Sequence, residues 1–200
     1  MRNLKYDIFL INIANLNNHL IDVQHDMFAY QSDFILLTET WMNPIQPINW
    51  PGKVLHHASV GNGRGVCAYC PEGTQDSYIS DIVKPKYQLL SLLIKDYQII
   101  LMYISKGCNF QEIANSLNNS IIPAKKIMIL GDLNFDPNLK KPNPLTTFLE
   151  ELDFIQIVDF STHRDGGLID HIYTKNATNV EIRTNFPYYS DHMAFNVTLK

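Results

Sequence analysis

The side chains best suited to chemistry in this chain stand where short apolar runs stop. Asn12 sits within the first run, Tyr6–Ile13. Glu39 follows Phe34-Ile-Leu-Leu-Thr38, and Tyr103 closes Ile99-Ile-Leu-Met102. Asp132 and Asn134 follow Ile127-Met-Ile-Leu-Gly131. Asp170 follows Gly166-Gly-Leu-Ile169, and Ser190-Asp191-His192 precedes the last apolar run. Polar groups gathered at strand ends are the usual way an α/β scaffold presents a site. Each also has a plainer reading. A carboxylate after a strand is commonly a solvated turn residue or a helix cap, and Asn12 could be a hydrogen-bonded core amide. The full set in one chain is harder to explain that way.

Together these residues could cleave a phosphoester with a metal and an activated water. Glu39 and Asn12 offer hard oxygen donors of the kind Mg²⁺ or Mn²⁺ prefers, and no Cys/His set is evident for zinc. Asp132 could accept a proton from the attacking water, with Asn134 orienting it. An Asp170–His192 pair would fix one imidazole tautomer and favour its charged form, leaving His192 to donate to a phosphate oxygen. Tyr103 is a further donor for the phosphate or leaving group.

The elements that must position these groups are short. Apolar runs predict strands at Tyr6–Ile13, Phe34–Leu37, His56–Val60, Gly65–Tyr69, Ile127–Leu130, Ile155–Asp159, Leu168–Tyr173, Val180–Arg183 and Met193–Leu199. A hairpin is predicted over Gln88–Ile94 and Gln98–Ile104. Leu16, Leu20, Val23 and Met27 form one helical stripe, and Gln111–Asn119 reads as a second helix. Asn143-Pro144 signals the start of a third, with Leu145, Phe148, Leu149 and Leu152 on its apolar face. Strand–helix–strand units beside hairpins predict an α/β (α+β) fold of mixed sheets covered by helices.

The 200 residues suit one domain, 1–200, able to bury roughly 70% of its unfolded surface. At 46% hydrophobic and 18% charged, the chain is not a disordered tail. A net charge of −4 argues against a broadly basic nucleic-acid coat or a polybasic membrane binder. No apolar run approaches the ~18 residues of a membrane span. Cys67, Cys70 and Cys108 are too few for a disulfide framework, so a reducing intracellular setting, nucleus or cytoplasm, is expected. Cys67 and Cys70 lie three apart in a strand and should face opposite sides, unable to share a metal.

In order along the chain, Asn12-Ile-Ala-Asn-Leu16, Leu37-Thr-Glu-Thr-Trp41, Gly63-Arg-Gly-Val66, Met102-Tyr103, Gly131-Asp-Leu-Asn134, Ile169-Asp-His171 and Ser190-Asp-His192 resemble the endonuclease/exonuclease/phosphatase superfamily. Gly-Asp-x-Asn with a terminal Ser-Asp-His is the specific part. Leu37–Trp41, Thr162-His-Arg-Asp-Gly-Gly-Leu-Ile-Asp-His171 and Tyr188-Tyr-Ser-Asp-His192 look like the endonuclease domains of non-LTR retrotransposons and related mobile elements. The resemblance implies a four-layer sandwich of two mixed β-sheets flanked by α-helices, and a divalent-metal phosphodiesterase that nicks DNA. It implies Glu39, Asn12 and Asp191 at the metal, and Asp132, Asn134, His192, Asp170 and Tyr103 as catalytic groups. Ser190 and Thr162 are placed on the substrate side. Many members carry Asp or Asn where this chain has Ala14, which removes one candidate outer metal contact.

Lys106, Lys140-Lys141 and Arg164 lie near these loops and could contact DNA phosphates, or simply solubilise the surface. DNA is the expected partner, with RNA a second candidate; a monomer without membrane contact is expected, either free-standing or part of an element with a polymerase domain. An abasic-site or other phosphoesterase is the nearest alternative, although the aromatic pair of abasic-site enzymes is replaced by His163-Arg-Asp-Gly-Gly167. A catalytically weak remnant kept as a binding module, supported by Ala14 alone, is the other. Trp41 is expected to pack beneath the site.

Overall fold

The computed structural model describes residues 5–43, 45–59, 64–74, 77–123, 125–137 and 143–200. Two six-stranded sheets stack face to face. The first runs β11(Val180–Asn185), β12(Ala194–Leu199), β1(Tyr6–Asn12), β2(Phe34–Thr38), β4(Gly65–Pro71), β3(Lys53–Ser59). The second runs β5(Tyr78–Lys84), β6(Tyr87–Ile94), β7(Tyr97–Ile104), β8(Lys126–Asp132), β10(Asp170–Lys175), β9(Ile155–Gln156). β1 pairs parallel with β2 and β7 with β8, and all other pairings are antiparallel. The parallel pairs need crossovers. α1(Leu16–His25) and α2(Met27–Gln31) make the first, and α3(Phe110–Ser120) makes the second; α4(Pro144–Glu151) follows β8.

Side-chain parity builds the layers. Ile8 and Leu10 of β1 meet Leu101 of β7, Leu130 of β8 and Ile172 of β10 between the sheets. Phe9 and Ile11 face the other way, with Leu16 and Val23 of α1. Ile100 and Ile129 of the second sheet pack with Ile113 and Leu117 of α3 and Leu149 of α4. The result is helix, sheet, sheet, helix: the four-layer α/β sandwich expected from the sequence. Cys67 and Cys70 fall on opposite faces of β4, and all three cysteines are free. Among the described residues no helix is long and apolar enough to cross a membrane.

Several boundaries differ from expectation. The stripe Leu16–Met27 is two helices, because Asp26 ends α1 and caps α2 with its carboxylate on the Phe28 and Ala29 N–H groups. Met27 is consequently exposed. β3 starts at Lys53 rather than His56, while Val60 lies outside the described residues. The predicted strand Ile155–Asp159 shrinks to two residues, and the predicted Leu168–Tyr173 is shifted to Asp170–Lys175. The edge strand β5 was not anticipated: its face is mostly exposed, so it lacks a clear apolar alternation. Trp41 is not beneath the site; it is 45% exposed, since a left-handed backbone (φ 51°) turns it outward.

Gly131 carries a local constraint. Its φ is 133°, and a Cβ there would lie 2.0 Å from the Met102 carbonyl oxygen of neighbouring β7. Only glycine allows β8 to approach β7 so closely beside Asp132. Gly131→Ala is expected to cost about 3 kcal/mol in urea denaturation, with a matching loss of folded yield.

Candidate active site

The same parity that forms the central core delivers the polar residues to its end. Asn12 continues the inward row Ile8, Leu10; Asp132 continues Met128, Leu130; Tyr103 continues Ile99, Leu101. In register, Tyr103 stands beside Asp132 and Asp132 beside Asp170, so three adjacent strands offer one polar row. Asn12 Nδ2 donates to Asp132 Oδ2 at 2.8 Å, tying the two sheets together across this row. The Asn12 amide is itself aimed by the Ala14 N–H, which donates to Oδ1 at 3.0 Å.

Asp132 is buried and fully engaged. Asn134 donates its backbone N–H to Oδ1 and its Nδ2 to Oδ2, both at 2.9 Å. A left-handed backbone at Asn134 (φ 53°) bends the chain back to make both bonds, and asparagine tolerates that conformation better than most residues. The following segment is pinned by His171. Burial lowers its pKa to about 4, so the ring is neutral. Its Nε2–H donates to the Phe135 carbonyl at 2.9 Å, and Nδ1 accepts from Gln156 Nε2 at 2.9 Å.

His192 Nδ1 lies 2.9 and 3.1 Å from the two Asp170 oxygens. Asp170 is positioned by Thr162, whose Oγ1 accepts the N–H groups of Ile169 and Asp170 at 3.0 and 2.9 Å. Ser190 holds the other side. Its Oγ donates to the Asn12 carbonyl at 2.8 Å and accepts the His192 N–H at 3.1 Å. Ser190 and Thr162, expected on the substrate side, are instead buried positioning residues with their hydroxyls spent internally.

Burial and neighbouring charge drive the two central groups in useful directions. Desolvation, then the charge of Asp170, raises the Asp132 pKa; His192 and the Asn134 N–H oppose this, and Glu39 adds a smaller upward push. For His192, burial pulls downward, but the hydrogen bond and charge of Asp170, with Asp132 and Asp191, outweigh it and push the pKa up to about 9. Burial also raises the Tyr103 hydroxyl, followed by the charge and hydrogen bond of Glu39, so it stays a donor at neutral pH. Glu39 leaves β2 in a left-handed conformation (φ 50°) and is half-buried.

The crowded carboxylates Glu39, Asp132 and Asp170 fit a divalent cation, whose charge would offset the repulsion that raises Asp132. Glu39 and Asn12 Oδ1 offer oxygen donors of the hard kind such an ion prefers. Asp132, Asp170 and His192 form one grouping that could hold a metal; His163, Asp191 and His192 form another. Asp191 therefore has the two imidazoles as its nearest partners: Oδ2 is 3.2 Å from His163 Nε2 and Oδ1 is 3.9 Å from His192 Nε2.

Of the basic residues, Arg164 is exposed but also braces the backbone. Its guanidinium donates to the Ser190 and Pro187 carbonyls and lies over the Phe186 ring, clamping the Ser-Asp-His segment. Lys106 is exposed beside Asn134 in a small cavity, and Lys140 and Lys141 lie outside the described residues. Two neighbours of the site went unread in the sequence. Arg64 reaches within 5.9 Å of the Tyr103 ring, and His163 stands edge-on to His192 with centroids 4.8 Å apart. Arg64 was signalled only by its place in Gly63-Arg-Gly; His163 had no spacing signal.

Because folding raises the proton affinity of His192, its charged ring stabilises the fold fully below its ordinary pKa of 6.5. That contribution is lost as pH rises through about 9. Asp170→Asn removes the main upward push, so the His192 pKa is expected to fall toward or below 6.5 in an NMR titration of the imidazole. A value still near 9 would show that Asp170 does not hold the proton.

The sequence profile of the endonuclease/exonuclease/phosphatase family matches residues 10–192. No curated protein matches by sequence. Several solved structures are similar in fold. The endonuclease domain of TRAS1, a telomere-specific non-LTR retrotransposon, superposes with a TM-score of 0.70 at 12% identity, covering 98% of this chain and 99% of its own. An AP endonuclease from Archaeoglobus fulgidus gives 0.72 at 14%, with the same coverage. The 3′ phosphatase NExo from Neisseria, bound to product DNA hairpin, gives 0.72 at 16%, again covering 98% and 99%. With a profile match over most of its length, and the expected motifs meeting at one end of the expected sandwich, this chain belongs to the endonuclease/exonuclease/phosphatase family.

Proposed function

We propose that the chain is a Mg²⁺- or Mn²⁺-dependent DNA endonuclease of mobile-element type, acting as a monomer. The observation that carries this reading is the convergence of Asn12, Glu39, Tyr103, Asp132, Asn134, Asp170 and His192 at one end of the inter-sheet core. The substrate assignment draws support from neighbours of this fold whose names place them on DNA, and from the motifs around Glu39, Asp170 and His192.

In the proposed mechanism, Asn12 and Asn134 hold the Asp132 carboxylate in one orientation. Burial beside Asp170 favours the protonated form of Asp132, and a bound cation, offsetting the repulsion that raises its pKa, would leave it ionised to take a proton from the attacking water. His192, charged and held by Asp170 through Nδ1, directs Nε2–H toward a non-bridging phosphate oxygen. Tyr103 donates its hydroxyl to the phosphate side, and Arg64 adds positive charge there. Glu39 and Asn12 would hold the cation, which supplies Lewis-acid stabilisation of developing negative charge. Nicking of supercoiled plasmid should require Mg²⁺ and stop with EDTA. Glu39→Gln, Asp132→Asn and His192→Ala should each lose about a hundredfold or more in rate with unchanged circular dichroism. Activity near wild type in all three would overturn the mechanism.

Ala14 bears on metal affinity. β1 ends at Asn12, and Asn15 caps α1, accepting the Asn17 N–H at 3.0 Å, so its side chain is engaged at the helix start. Ala14 is exposed with φ 51°, a left-handed backbone that Asp or Asn adopts at lower cost than Ala. Ala14→Asp is expected to fold normally and to lower the Mg²⁺ concentration for half-maximal nicking. An unchanged Mg²⁺ titration would show the position to be inert.

A further inference from the structure

We propose that His163, Asp191 and His192 form a Zn²⁺ site at the rim of the cleft, and that its occupation switches the active site off. The donor set is two imidazoles and one carboxylate, which favours a borderline transition metal over Mg²⁺. The three ligand atoms lie within 4.8 Å of one another, with Asp191 reaching His163 Nε2 at 3.2 Å and His192 Nε2 at 3.9 Å. Ligands bonded at about 2.0–2.1 Å in a tetrahedron sit roughly 3.4 Å apart, so small side-chain rotations close the set. Three protein ligands leave a fourth position for water.

The backbone prepares the site. His163 and His192 face each other across an antiparallel bridge. Met193 N–H donates to the Thr162 carbonyl at 2.7 Å, and Arg164 N–H to the Asp191 carbonyl at 2.9 Å. The two imidazoles therefore project from one hydrogen-bonded ladder rather than from independent loops.

The outer contacts point the same way. A ligating imidazole ordinarily donates its second N–H to a carboxylate. His192 Nδ1 already has Asp170 at 2.9 Å, and His163 Nδ1 has the exposed carboxylate of Asp165 at 3.7 Å. In the metal-free protein His163 Nδ1 accepts the Asp165 N–H at 3.1 Å, so its proton sits on Nε2 and points at Asp191. Binding moves that proton to Nδ1, where the Asp165 side chain can take it, and releases the solvent-exposed Asp165 N–H to water.

Zn²⁺ on His192 Nε2 would displace the Nε2 proton to solvent, leaving Nδ1–H on Asp170, and so remove the donor aimed at the phosphate. Only this inhibitory consequence rests on the proposed nuclease function; the binding does not. The test is a titration of the full chain with Zn²⁺ alone, in competition with a chromophoric chelator and without nucleic acid. Wild type should bind one equivalent that excess Mg²⁺ does not displace. His163→Phe keeps an aromatic ring against His192 and should weaken binding at least tenfold; if its near-UV spectrum shows misfolding, Asp191→Ala at an exposed position replaces it. Asp165→Ala should weaken binding about tenfold through the lost outer contact. Wild type that binds no Zn²⁺, or a folded ligand variant that binds as tightly as wild type, would overturn the site. Zn²⁺ binding in a chain that nicks no DNA under any metal would overturn the nuclease reading and leave the site standing. In an active chain, Zn²⁺ should suppress Mg²⁺-dependent nicking, and undiminished nicking at full Zn²⁺ occupancy would overturn the switch.

Discussion

The hydrogen bond from Asn12 to Asp132 joins the two halves of the molecule where the apolar layer between the sheets ends. Everything around it is arranged to make a buried carboxylate tolerable. Asp132 accepts from Asn12 and twice from Asn134, so its oxygens are not left bare. Losing one such partner in a buried setting costs about 1–3 kcal/mol, more for a charged group. The bond also makes the site depend on sheet packing: Asn12 and Asp132 are 120 residues apart and meet only when β1 and β8 face each other across the core.

Charge follows from that burial. Asp132 and Asp170 lie side by side on adjacent strands, with Glu39 close enough to add to the negative potential. The protein answers with a buried cation, His192, which Asp170 holds by its far nitrogen. Raising the proton affinity of both Asp132 and His192 leaves His192 a persistent acid and makes an ionised Asp132 depend on a counter-charge. The remaining negative charge suits a divalent cation, and the outward nitrogen of His192 is left where phosphate or, in the zinc-bound form, a metal would meet it.

Backbone conformation supplies the aim. Ala14, Glu39, Trp41 and Asn134 all have left-handed φ values, and each follows the end of a central strand by a few residues. The chain must turn sharply there to begin a helix or loop while leaving a side chain over the strand end. Asparagine accepts such a turn readily. Glutamate does so at a cost met by backbone bonds such as Thr40 N–H to the Gly65 carbonyl and Leu16 N–H to the Thr40 carbonyl.

The central strands, the fold class and the polar strand ends were legible in the sequence because the alternation that buries Ile8, Leu10, Met128 and Leu130 also fixes the face of Asn12 and Asp132. The family motifs added the order in which those ends meet. The edge strand β5 was not legible, since a half-exposed strand carries little apolar signal; β9 was legible in place but not in length; and Asp26 broke a stripe that periodicity alone reads as continuous. Roles that depend on a contact distant in sequence came only with the tertiary structure. Thr162 and Ser190 turn inward as braces, Arg164 reaches the Pro187 and Ser190 carbonyls, Trp41 faces solvent, and His163 meets Asp191 and His192. In each case the residue type allowed several partners, and the partner was chosen by which strands and loops the sandwich brought within hydrogen-bond reach.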